Sequence, residues 1–212
     1  MYTSKTSCSY FSRLLLCLSL LSLSISSCSD KNENATPEEQ GGNQATYSDQ
    51  HYSLNAGAIS KNGIQAGHFN YSFFLFELGS ESDPVVPLTI FMDLFSPSME
   101  NFKGGTFHYL SPEATQEDTQ GQYYFNQAYV VRNFNRDQEN ADEVAFVQSG
   151  TIKASGADSH FTLEFDLILD NGKTLKGHYD GEFEPANLNN AVASLSRQYR
   201  LEQSLLCRLG RN

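Results

Sequence analysis

Apolar and polar positions divide the chain into three zones. The first is LLLCLSLLSLSI, Leu14 to Ile25, an unbroken apolar run of about a dozen residues, where a spanning helix needs roughly 20. In the second, from about Tyr47 to Ala186, apolar and polar residues alternate over short stretches with turn-forming residues between them, the pattern of half-buried strands. The third, Asn187 to Asn212, spaces Leu188, Val192, Leu195, Tyr199, Leu206 and Leu209 at near-helical intervals. It reads either as an amphipathic helix, packed on the sheet or lying on a membrane or partner, or as a poorly ordered tail.

The middle zone predicts strands near Tyr52–Ile59, His68–Leu78, Pro87–Phe95, Thr106–Leu110, Gln122–Asn133, Val144–Ala154, Ser159–Leu169 and Lys173–Phe183. Turn chemistry separates them at Lys61-Asn62-Gly63, Ser82-Asp83-Pro84, Gly104-Gly105, Ser155-Gly156 and Asp170-Asn171-Gly172. Short links without helices favour hairpins or meanders. The expected fold is all-β, an antiparallel sandwich or barrel of about eight strands.

The last hairpin allows a register argument. FTLEFDLIL carries Phe161, Leu163, Phe165, Leu167 and Leu169 on one face, and KTLKGHYDGEF carries Leu175, Gly177, Tyr179, Gly181 and Phe183. A two-residue turn at Asn171-Gly172 splits the apolar sets. A three-residue turn, Asp170-Asn171-Gly172 with Gly172 left-handed, keeps them together. It sets Leu167 against Leu175, Leu163 against Tyr179, and Phe165 and Phe161 over Gly177 and Gly181. Asp166 then faces Lys176, Glu164 faces His178, and Thr162 faces Asp180.

Aromatic residues occupy both parities of two strands. Phe74 and Phe76 oppose Phe69, Tyr71 and Phe73, and Tyr123, Phe125 and Tyr129 oppose Tyr124. Such strands are buried on both sides or expose rings to a ligand. Tyr123, Tyr124, Phe125 and Tyr129 are the candidate ligand contacts.

The front end adds localisation. Met1 to Arg13 holds Lys5 and Arg13 and no acid; the short apolar run and the small Ser26 and Ser27 follow. This is the layout of a secretory signal peptide, residues 1–27. Ile25-Ser26-Ser27-Cys28 resembles a relaxed lipobox, making Cys28 the expected lipid-attachment residue and the membrane the first partner. Residues 28–46, nearly devoid of apolar side chains, read as a tether. Cys8 and Cys17 leave with the signal peptide, so Cys207 alone would remain, either cross-linking two chains or inert, and no internal disulfide is expected. No CxxC or Cys/His cluster points to zinc, and no cofactor is expected.

Charge narrows the partners. Between Ser29 and Ala186 stand 8 Lys and Arg against 24 Asp and Glu; from Asn187 on, four Arg stand against one Glu. An acidic body argues against nucleic acid. Neither G-x-S-x-G, H-E-x-x-H nor a P-loop occurs. Glu164, Asp166, Asp180 and Glu182 read as a solvated sheet face rather than a glycosidase pair. His68, His108, His160 and His178 fall on strands in surface or cross-strand roles. The acidic loop Asp137 to Glu143 lacks the glycine and spacing of an EF-hand.

Several of these features together resemble small Bacteroides-type envelope lipoproteins: the lipobox, the tether, Tyr52-Ser53-Leu54, Gly105-Thr106-Phe107, Gly150-Thr151-Ile152, Asn171-Gly172-Lys173-Thr174 and Lys176-Gly177-x-Tyr179-x-Gly181. The likeness covers roughly residues 20–184. It implies a β-sandwich or barrel, lipid-anchored in the outer membrane and facing either the cell surface or the periplasm. The chain departs from the pattern after Glu184. The expected function is a non-enzymatic binding or adhesion module for a glycan or protein. The alternative is a lipocalin-like carrier of a small apolar ligand, with a glycan-acting enzyme third.

Overall fold

The computed structural model describes residues 42–80 and 82–186. Its strands are β1 (Gln44–Tyr47), β2 (Gln50–Ser53), β3 (Ala56–Gln65), β4 (His68–Glu77), β5 (Val85–Ser96), β6 (Gly105–Tyr109), β7 (Tyr124–Asn135), β8 (Glu143–Ala157), β9 (His160–Leu169), β10 (Thr174–Glu182) and β11 (Glu184–Pro185). A single helical turn, α1 (Gln116–Thr119), precedes β7, with Thr115 and Asp118 forming a capping box. The signal peptide, Cys28 and the segment 187–212 with its expected helix lie outside the described residues.

All eleven strands join one open sheet, in the order β11-β3-β4-β5-β7-β6-β8-β9-β10-β1-β2. All-β holds, but the count of about eight, the wholly antiparallel pairing and the sandwich or closed barrel are corrected. β11 pairs parallel with β3, and β6 parallel with β7. β7 and β8 pair directly only at Tyr129–Arg132 with Glu143–Phe146; beyond that they splay, and β6 wedges between them. β1 also takes in Gln44 to Thr46, positions assigned to the tether.

Two expected turns are not turns. Lys61-Asn62-Gly63 lies inside β3, where the register with β4 slips by one residue, so the turn signal marks a bulge. Ser155-Gly156 lies inside β8, paired with Thr162 and Phe161. The last hairpin has the expected register: Leu167 opposes Leu175, Leu163 opposes Tyr179, and Asp166 opposes Lys176. Gly172 closes the turn at φ +77°, a conformation cheap only for glycine. The Phe165 ring rests on Gly177, where an added Cβ would stand 2.4 Å from Cζ. At Gly181 the nearest ring is Tyr179, not Phe161.

The sheet curls around its main core. Phe73 on β4 meets Phe161 on β9 at a ring separation of 5.2 Å, although four strands lie between them in the sheet order. The inward side chains of β9 (Phe161, Leu163, Phe165, Leu167, Leu169) are all buried, as the alternation requires. β4 and β5 are buried on both faces. Their outward Phe74 and Phe91 join a second, smaller cluster with Tyr129, Val131 and Phe134.

Candidate functional site

The sheet has two unlike ends. At the end where β4, β7 and β9 begin, the loop after β5 folds back, and the Lys103 N–H donates to the Ser96 hydroxyl. The fold-back inserts Phe102 into the mouth of the curl. Its ring stacks on Tyr71 at 4.6 Å, lies parallel to Phe107 at 5.7 Å and meets Phe161 edge-on at 6.0 Å. Phe102 is thus a plug joining β4, β6 and β9. Phe69, Tyr71 and Tyr123 remain half-buried around it. Lys61 Nζ stands 5.8 Å from the Tyr71 ring centre, a cation–π distance. Burial, with the nearby Asp158 charge, pushes the Tyr71 hydroxyl above its ordinary pKa, so it stays a neutral donor. Ile64, opposite Phe69 on β3, and Met99, in the plug loop, are 51% and 60% exposed. Half-open rings beside exposed apolar side chains form a surface on which flat apolar faces can stack.

Nothing similar to this chain was found among protein-family models, curated proteins or solved structures.

The four rings singled out from the sequence do not form one surface. Tyr123 packs edge-on against Phe107 at 5.2 Å and covers Gly105, at the margin of the mouth. Phe125 is fully buried in the main core. Tyr124 points to the opposite face, stacked on Phe95 at 4.7 Å and edge-on to His68 at 5.0 Å. Burial, then the Asp93 charge, raises its pKa. Tyr129 was expected to share a face with Phe125. The register of β5 with β7 slips between Asp93 and Leu94, which oppose Gln127 and Phe125. That bulge turns Tyr129 outward into the second cluster. Phe102 has no prominence along the chain, because it sits in Asn101-Phe102-Lys103-Gly104 without alternation. Its one signal was an isolated aromatic among turn residues.

The other end is closed by polar groups. Glu143, at the start of β8, accepts from the Tyr47 hydroxyl at 2.8 Å, Asn171 Nδ2 at 2.9 Å, Lys173 Nζ at 2.6 Å and Arg132 Nη1 at 3.1 Å. Burial alone would raise the Glu143 pKa. Hydrogen bonds from Lys173 and Tyr47 and the charges of Lys173 and Arg132 outweigh it and hold the carboxyl below its ordinary value. A depressed carboxyl stabilises the fold above its unfolded pKa and loses that contribution as pH falls through the folded one. Glu143→Gln is expected to cost about 1–3 kcal/mol at neutral pH, the worth of hydrogen bonds to a charged group. The difference from wild type should shrink in acid; urea melts at pH 7 and pH 3 measure it. An equal difference at both pH values would show that the charge is not what matters.

The carboxylates of the last hairpin are engaged as a surface face. Glu164 pairs with Lys153 at 3.0 Å and Asp166 with Lys176 at 2.9 Å. His160 spans Asp180 at 2.8 Å and Glu182 at 3.3 Å. The Ser159 hydroxyl donates to Glu182 at 2.6 Å, beside His160 on the same carboxylate. The hydrogen bond to Asp180 is the main cause raising the His160 pKa above 6.5, with Glu182 adding to it. The raised histidine stabilises below its unfolded pKa and loses this as pH rises through the folded one. Asp180 and Glu182, both depressed, act in the opposite sense and lose theirs as pH falls. An NMR titration should put the His160 midpoint above 6.5 in wild type and lower it in Asp180→Asn. An unmoved midpoint would count against the pair.

Proposed function

We propose that this protein is a lipid-anchored envelope lipoprotein whose β-domain binds a glycan or protein without catalysing a reaction. The observation that carries the binding reading is the mouth of the curl: half-buried Phe69, Tyr71 and Tyr123 around the Phe102 plug, bordered by exposed Ile64 and Met99. The anchor rests on the signal peptide, the lipobox cysteine Cys28 and the polar tether. Outer-membrane attachment with the domain at the cell surface is part of the proposal. No specific observation favours the carrier alternative: interior rings such as Phe73, Phe161 and Phe183 lie in mutual contact, where a carried ligand would need a lined cavity.

Cys28→Ala is expected to abolish acylation and move the protein from the membrane fraction to the soluble one. Protease added to intact cells should remove the wild-type domain. An unacylated wild-type protein overturns the anchor, and protection in sealed cells overturns surface exposure. For binding, the probe is a panel of immobilised bacterial polysaccharides and envelope proteins. Ile64→Asp and Met99→Asp alter exposed side chains and should leave the melting temperature within a few degrees. Binding should fall at least tenfold. Unchanged binding by both variants removes the mouth as the site.

A further inference from the structure

The described chain enters its sheet from the side of the mouth. β1 runs antiparallel to β10, with Gln44 opposite His178 and Tyr47 opposite Leu175. β10 ends beside the start of β9, with Glu182 opposite His160, so β1 runs away from the mouth. Asn43, just before β1, is held there by two hydrogen bonds. Its Nδ2 donates to the Asp180 carbonyl at 3.1 Å, and its Oδ1 accepts from the Asp180 N–H at 2.7 Å. The Asp180 carboxylate in turn meets His160, the first residue of β9, at 2.8 Å. Asp158, in the β8–β9 turn, lies near enough to Tyr71 for its charge to act on the hydroxyl. Point of entry and ring-lined mouth therefore share one end of the sheet. Two of the four exposed large apolar side chains, Ile64 and Met99, stand at that end, while Ile168 lies at the far end of β9. Among the described residues, Lys61 and Lys103 are the lysines with no carboxylate at ion-pair distance; Lys153, Lys173 and Lys176 each have one. Lys61 stands by Tyr71, and Lys103 follows the Phe102 plug.

We propose that the mouth works in cis: it takes the saccharide of a glycolipid in the same membrane that anchors the chain. This rests on the anchor and binding readings above and names one partner for both. Cys28 precedes Gly42 by 14 residues, a reach of at most about 50 Å. The ten residues of β9 alone span roughly 33 Å. With the mouth toward the lipid, little of that reach is used. With the far end toward it, the chain must first run the length of the sheet. A saccharide layer suits this surface better than bare lipid. An acidic body, 24 Asp and Glu against 8 Lys and Arg between Ser29 and Ala186, is repelled by anionic headgroups. Sugar hydroxyls can donate to Asp158 and accept from the Tyr71 hydroxyl, while an apolar ring face stacks on half-buried Phe69 or Tyr123. Acid or phosphate groups on the saccharide meet Lys61 and Lys103, and Ile64 and Met99 face the lipid below. Confinement of protein and ligand to one surface raises their effective concentration, so a shallow mouth suffices.

The test uses the full acylated chain in phosphatidylethanolamine vesicles, with and without lipopolysaccharide. Benzoylphenylalanine replaces Met99 or Ile64 at the mouth, or Ile168 at the far end; all three are exposed, so the fold is kept. Irradiation is expected to give a lipopolysaccharide adduct at Met99 and Ile64, at least fivefold above that at Ile168. Free polysaccharide cut from the same lipid should compete it away. Lys61→Glu with Lys103→Glu should lower the yield at least threefold. Equal yields at the three positions, an adduct with phosphatidylethanolamine only, a dimer-sized product, or a yield untouched by both the competitor and the lysine variant overturns the proposal. The absence of any adduct also overturns it, and the immobilised panel then separates two failures. Panel binding that is lost in Ile64→Asp and Met99→Asp keeps the mouth as a site for a ligand from outside. No panel binding removes the binding reading itself.

Discussion

Replacing Phe73 by alanine is expected to lower the stability of the domain by about 3–5 kcal/mol, the range for truncating a fully buried phenylalanine. Phe73 has no exposed surface, and its ring touches those of Phe102, Phe161 and Phe183 at 5.8, 5.2 and 5.3 Å. Those contacts come from the plug loop, from β9 and from the link between β10 and β11. One side chain thus holds together parts of the curl that the strand order keeps far apart. Truncation leaves a void that the rings around it cannot all relax to fill. At about 2–5 °C of melting temperature per kcal/mol for a domain of this size, the drop should be roughly 10–20 °C. Ile168→Ala is the comparison: its side chain stands on the outer face of β9, 43% exposed, and should cost well under about 1 kcal/mol. Similar losses in the two variants would contradict the packed interior.

Gly150→Ala is expected to cost about 3 kcal/mol or more, although it adds a single methyl group. Gly150 lies in β8 opposite Leu167, just past the register slip between Val147 and Ser149. Its φ of +124° is a conformation held almost only by glycine, and another residue there is strained by about 1–3 kcal/mol. There is also no room: an added Cβ would stand 2.3 Å from the Asp166 carbonyl oxygen and 2.8 Å from the Leu167 Cα. Both are backbone atoms of the paired strand, so no side chain can swing aside, and relief requires opening the β8–β9 ladder. Chemical denaturation with amide exchange across β8 and β9 measures both effects. A loss below about 1 kcal/mol with unchanged exchange would show that the backbone here accommodates a side chain.

Some of this was legible in the sequence because its cause is local. The β9–β10 register follows from the period of two and one glycine-bearing turn, since only the three-residue loop keeps Phe161 to Leu169 and Leu175 to Tyr179 on one face. The opposed faces of Phe73 and Phe74 follow from the same period. Where the period was interrupted, the reading failed. The Asp93/Leu94 slip reversed Tyr129, and Lys61 to Gly63 became a bulge rather than a turn, because a bulge inserts a residue without ending the strand.

The candidate mouth was only partly legible. Tyr123 was singled out, but Phe102 became its centre through a loop whose position depends on the Ser96–Lys103 hydrogen bond. Glu143 looked like one acid among many in a charged loop. Its partners Tyr47, Arg132, Asn171 and Lys173 are spread from β1 to the β9–β10 turn, and sequence spacing brings none of them to it. The sequence by itself determined that the middle of the chain is all-β, which side chains of the final hairpin point inward, and that the body is acidic. Only the tertiary structure decided that the sheet is single, open and mixed, that β6 parts β7 from β8, and which rings meet at the mouth. Alternation within a strand is imposed by the backbone of that strand. Pairing between distant strands depends on bulges, splaying and edges, which arise only when the whole sheet is assembled.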